Sequence, residues 1–143
     1  MGRKDALHSA CKNALVKDGW IITHDPYRLR RGGQTLYVDL GAEFPIAAEK
    51  SGRKIAVEVK SLLGGTEMPE LERALGQFVL YRSLLRRSDP DRSLYLAVTR
   101  SAYLFHFDTL DGENLIEDES LQLLVFLPET EEIDRWIEAP NTN

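Results

Sequence analysis

The 143-residue chain has one cysteine, Cys11, so no internal disulfide can form and a reducing cytoplasm is the expected compartment. No apolar run approaches the ~20 residues needed to cross a bilayer, so no membrane partner is expected. The start, Met1-Gly2-Arg3-Lys4-Asp5, is basic but lacks the apolar stretch of a signal peptide. Three histidines and one cysteine, scattered along the chain, offer no zinc-ligand spacing. Internal repeats, low-complexity tracts and Pro/Gly/Ser-rich linkers are lacking too. One domain over 1–143, acidic end included, is the expected organisation.

Basic residues are scarce in one part only. Residues 101–143 hold 1 Lys or Arg against 11 Asp and Glu, whereas residues 1–100 hold 17 against 12. The net charge of −5 therefore combines a body of +5 with an end of −10. Such asymmetry permits a basic, nucleic-acid-facing surface on the body. Plain solvation of the surface accounts for it equally well.

What is present reads as an α/β chain. Asp5 to Lys17 has apolar residues at helical spacing and ends at Gly19. Trp20 to Thr23 is a short strand, broken by Asp25-Pro26. Arg28 to Gly33 reads as a basic loop. Leu36 to Leu40 and Pro45 to Glu49 read as extended pieces, with a bulge expected at Gly41-Ala42. Lys50 to Arg53 forms a turn, and Ile55 to Lys60 is a strand of alternating apolar positions. After the Gly64-Gly65-Thr66 loop, Glu67 to Arg87 is a long helix, with Thr66 as cap. Leu94 to Thr99 is a buried strand. A short helix over Ser101 to Leu110, a strand over Leu121 to Leu127 and a helix from Pro128 to near Ile137 complete the reading. A long helix between two strands predicts a crossover onto one mixed sheet with helices on both faces.

The chemical signal is Glu58-Val59-Lys60. Alternation puts Glu58 and Lys60 on one face at the end of a buried strand. Charges near an interior are costly unless paired or metal-bound. Carboxylates that hold Mg²⁺ or Mn²⁺, with a lysine to stabilise charge on a phosphate, are the needs of phosphodiester hydrolysis. A second carboxylate is required, and Asp39 and Glu43 are the candidates. Pairing Glu49 with Lys54 in a simple hairpin sets Glu43 opposite Lys60 and leaves Asp39 about 20 Å from Glu58, at ~3.4 Å per residue. A chain break at Gly41 would instead fold Asp39 back, and the choice stays open. Gln77, on the apolar segment Ala74 to Tyr81, is placed to orient water or phosphate. Arg28, Arg30 and Arg31 are candidate phosphate contacts, as are Arg82, Arg86 and Arg87. His8, with Asp5 and Lys12, reads as a solvated helix face.

Asp39, then Glu58-Val59-Lys60, then a helix carrying Gln77 resembles the PD-(D/E)XK nuclease superfamily. That resemblance implies a restriction-endonuclease-like mixed β-sheet flanked by helices, with Asp39 and Glu58 on Mg²⁺ and Lys60 assisting the attacking water. The longer strings Asp18 to Pro26, Val38 to Glu43, Ala56 to Ser61 and Ala74 to Tyr81 are similar to XisH, the fdxN-element excision controlling factor family of cyanobacteria. This likeness implies a role in programmed DNA excision, with DNA, the companion factor XisI and, indirectly, a site-specific recombinase as partners. Cutting two strands at a defined spacing would favour a two-fold homodimer. The competing reading is a binding module that keeps the nuclease fold without cleaving.

Overall fold

The computed structural model describes residues 3–45, 52–62 and 68–139. The expected extended piece over 46–49, the turn at Lys50-Ser51 and the Gly64-Gly65-Thr66 loop with its cap lie outside them.

Helix α1 (Arg3–Lys17) buries Leu7, Ala10, Cys11, Ala14 and Leu15, the i, i+3, i+4, i+7, i+8 stripe of a helix lying on a sheet. It ends at Gly19, whose φ of +102° suits a residue without Cβ. Strand β1 (Ile21–His24) follows, then β2 (Tyr27–Arg31), β3 (Gln34–Val38), β4 (Leu40–Phe44) and β5 (Arg53–Val59). Helix α2 (Met68–Ser88) leads to β6 (Arg92–Thr99), then come α3 (Arg100–His106), α4 (Leu110–Glu119), β7 (Leu123–Leu127) and β8 (Glu132–Ile137).

Six strands form one mixed sheet in the order β1-β4-β5-β6-β7-β8, and β2 and β3 form a separate hairpin. Strands β5 and β6 run parallel across the α2 crossover, as expected from a long helix between strands. One face of the sheet, through Leu40, Ala42, Val57, Val59, Tyr95 and Leu124, packs on α1 and Trp20. The other, through Ala56, Leu94, Leu96, Val98 and Leu123, packs on α2, α3 and the β2–β3 hairpin. No helix among the described residues is long and apolar enough to cross a membrane.

Four expectations are corrected. The basic stretch from Arg28 is a strand, because Tyr27 and Leu29 turn inward while Arg28 and Arg30 point out; only Gly32-Gly33 form the turn. The expected Leu36–Leu40 strand is split, with Val38 ending β3, Leu40 opening β4 and Asp39 between them. Gly41 and Ala42 lie inside β4, and the irregularity falls across from them, at Thr23 of β1. Gly41 serves close approach there, since a Cβ would meet the His24 ring at 3.0 Å.

The last correction is the expected C-terminal helix, which is strand β8, antiparallel to β7. Ile133, Trp136 and Ile137 have helical spacing, but an irregularity at Asp134 produces it. Ile133 and Trp136 pack on the α1 face and Ile137 on the opposite one. Helix α4 was not expected; Thr109 caps it by accepting the Gly112 N–H at 3.0 Å.

Trp136 fastens β8, with its ring 5.5 Å from that of Trp20 and 5.0 Å from that of Tyr95. Trp136→Ala is therefore expected to cost about 2–4 kcal/mol, read as a lower urea midpoint. An unchanged midpoint would contradict this packing.

Candidate functional site

The site forms where β5 ends. Its pairing with β4 sets Leu40 opposite Val57, Gly41 opposite Ala56 and Glu43 opposite Lys54. The next step along this ladder brings Asp39 to Glu58. Two reciprocal bonds close that step. The Asp39 N–H donates to Glu58 Oε1 at 3.1 Å, and the Val59 N–H donates to Asp39 Oδ2 at 2.8 Å. Lys60 Nζ lies 3.2 Å from Glu58 Oε2. The Lys60 backbone N–H still bonds Ala97 of β6, so its Cα is held by the sheet.

Glu58 is buried, 7% exposed. Burial pushes its carboxyl above the ordinary 4.5, the Asp39 charge adds to the rise, and Lys60 opposes it. Tyr81 of α2 faces the pair. Burial raises its phenol, and the charges of Glu58 and Asp39 raise it further. In the sequence, the only signal for Tyr81 is its place one turn after Gln77. Gln77 itself stands on α2 between Arg73 and Tyr81, with its Oε1 buried and without a hydrogen-bond partner among the described residues. An unpartnered buried oxygen is costly, and water or a cation would satisfy it.

Of the expected site residues, Asp39, Glu58 and Lys60 come together and Gln77 lies on the facing helix. Glu43 does not join them. It sits opposite Lys54 and Ile21, four residues from Asp39 along the chain, or about 14 Å of strand. Arg28, Arg30 and Arg31 are exposed on β2. His8 and Lys12 both bond Asp25, at 2.8 and 2.7 Å, which ties α1 to the β1–β2 turn. Arg82 caps α4 through the carbonyls of Glu119 and Ser120.

Asp39 and Glu58 offer a divalent cation oxygen donors. Among the described residues, no three His, Cys, Asp or Glu side chains gather at one point. Mg²⁺, however, is commonly bound through one or two carboxylates together with substrate phosphates and water. Asp39 and Glu58 supply two such carboxylates, and no donor among the described residues is placed on Asp39 Oδ1. The set fits Mg²⁺ or Mn²⁺ as oxygen ligands.

These features define a mixed α/β protein with a buried carboxylate pair and a lysine at the end of a central strand. Residues 1–134 match the family described as XisH protein, and the chain belongs to that family. It is similar to the crystal structure of an XisH family protein from Nostoc punctiforme PCC 73102, at 41% identity and a TM-score of 0.83, covering 94% of this chain and 100% of that one. It is similar also to that of an fdxN element excision controlling factor protein from Anabaena variabilis, at 41% identity and a TM-score of 0.82, covering 94% and 99%. No curated protein matches.

The raised Glu58 carboxyl has a signed consequence. An acid whose pKa is higher folded than unfolded binds its proton more tightly in the fold. Its stability contribution is greatest below 4.5 and is lost as pH rises from there through the raised folded value. Glu58→Gln keeps an acceptor for the Asp39 N–H without the buried charge. The variant is expected to be more stable than wild type at neutral pH, with the gain shrinking to nothing below 4.5. Urea midpoints across pH would check this, and a gain independent of pH would contradict it.

Proposed function

We propose that this chain is an excision controlling factor that acts on DNA through a PD-(D/E)XK nuclease-like site on a restriction-endonuclease-like fold. The observation that carries the reading is the β4–β5 register, which brings Asp39 to Glu58 and leaves Lys60 beside them. Asp39 and Glu58 are the residues that would hold Mg²⁺ or Mn²⁺. Bound there, the metal would polarise a phosphoryl oxygen and make water a better nucleophile at neutral pH.

The protein's own groups supply the rest. Lys60 is positioned to stabilise charge developing on a phosphate and to orient the attacking water. Gln77 offers a second polar contact for that water. The exposed arginines Arg28, Arg30 and Arg31 are available for phosphate contacts away from the chemistry. Membership of the XisH family and likeness to a protein described as an fdxN element excision controlling factor support the biological setting. In that setting the partners are DNA, the companion factor XisI and, indirectly, a site-specific recombinase, all in the cytoplasm. A homodimer would place two sites on two strands.

The test is cleavage of labelled branched and duplex DNA with Mg²⁺ or Mn²⁺. Lys60→Ala is expected to slow cleavage by about 100-fold or more, the scale of removing one stabilising donor. Asp39→Asn and Glu58→Gln should abolish metal-dependent cleavage while leaving a folded protein. Cleavage that persists unchanged in Lys60→Ala would remove the proposed site. Capture of DNA or of XisI by a wild type that never cleaves would make the chain a binding module that retains the fold.

A further inference from the structure

Beside Lys60 lies a cavity of about 260 Å³ that the carboxylate pair does not use. Lys4 from the first turn of α1, Lys60 and Ser61 from the end of β5, and Glu70 and Arg73 from α2 line it. Three cations thus converge on one opening from three separate elements. Glu70 is the one acidic side chain among its described lining residues, and Arg73 follows it by three positions on α2, within reach on the same helix face. Lys4 and Arg73 are exposed, and neither forms an ion pair among those found in the described residues. Lys60, by contrast, already holds Glu58. Lys4 also stands at the positive end of the α1 dipole.

We propose that this cavity seats the backbone phosphate next to the reacting one on a DNA strand, with Lys4 and Arg73 as its positioning residues. The assignment rests on the proposed nuclease-like site, which it extends by one subsite. Lys60 links the two. Its ammonium touches Glu58, while its side chain forms part of the cavity wall. A phosphate seated between Lys4 and Arg73 would therefore hold the strand in register with Asp39 and Glu58. Such contacts carry no base information; they fix where along the strand the site falls.

The experiment measures binding of a fluorescent duplex, and of the same duplex with a single-stranded end, to the full chain across a salt series. Ca²⁺ replaces Mg²⁺ so that binding is read without turnover. Lys4→Gln and Arg73→Gln are each expected to weaken binding several-fold and to lower the salt slope by about one. Lys17→Gln, at the far end of α1, is the control and should leave the slope unchanged. Unchanged affinity and slope in the double variant would overturn the subsite, as would equal losses in the Lys17 control or failure of the wild type to bind. The two readings fail separately. A protein that cleaves, yet ignores both substitutions, keeps the nuclease-like site and loses the subsite. One that never cleaves, yet loses slope on both, keeps the subsite and loses the cleavage.

Discussion

The structure turns on the exchange of hydrogen bonds between Asp39 and the end of β5. Asp39 is the residue at which the chain leaves the β2–β3 hairpin and enters the main sheet. Its N–H reaches Glu58 and its carboxylate takes the Val59 N–H. That closure satisfies the backbone donor of a residue that belongs to no strand, which a buried segment requires. It also pins the register of β4 on β5, and the pairings from Leu40–Val57 to Phe44–Arg53 follow from it. The hairpin carrying the exposed arginines is consequently joined to the main sheet at Asp39, with Leu29 and Val38 seated against the α2 side of the core.

The same closure carries an electrostatic cost. Two carboxylates are brought side by side, one of them buried, with one lysine between them and solvent. Burial and the Asp39 charge outweigh Lys60 in setting the Glu58 carboxyl. A fold selected only for stability would place an apolar residue or an amide there. Perturbation of one group by burial and a specific neighbour is common at sites that handle protons, metals or phosphates. The buried oxygen of Gln77, without a partner among the described residues, is a second cost of the same kind on the facing helix.

Much of this was legible in the sequence, and the failures have definite physical causes. Glu58 and Lys60 on one face at a strand end, the long crossover helix and the mixed sheet all follow from periodicity. The error lay along the strands. Counting from a tight turn with Glu49 opposite Lys54 misplaces the register by six residues, because Lys54 in fact pairs with Glu43. A shift by an even number preserves which side chains share a face, so the assignment of faces survived while Asp39 and Glu43 exchanged roles. Periodicity reports the face of a residue; only the connection reports its depth. Strand β8 was lost for a related reason, since the irregularity at Asp134 turns a two-residue period into helical spacing. Helix α4 has a weak signal in the sequence because Gly112, a poor helix former, stands in its first turn, although Thr109 uses the Gly112 N–H as a cap.

The division of charge along the chain becomes a division across the sheet. The acidic residues of the last section lie on α4 and its approach, on the turn after β7, and on β8 and its end. Strand β8 is one edge of the sheet, three strands from β5, or about 14 Å at ~4.8 Å per strand. Among the described residues, Glu138 alone of these acids forms an ion pair with the body, with Arg53 at 2.9 Å, while Glu131 accepts from the neutral Asn13 amide. The basic residues beside the carboxylate pair therefore keep most of their charge for an outside partner. On the proposed reading, a phosphate backbone approaching this molecule is repelled from the β8 edge and drawn to the end of β5. A net charge of −5 is then no argument against a nucleic-acid partner, because the surface such a partner meets is not the surface that carries the excess.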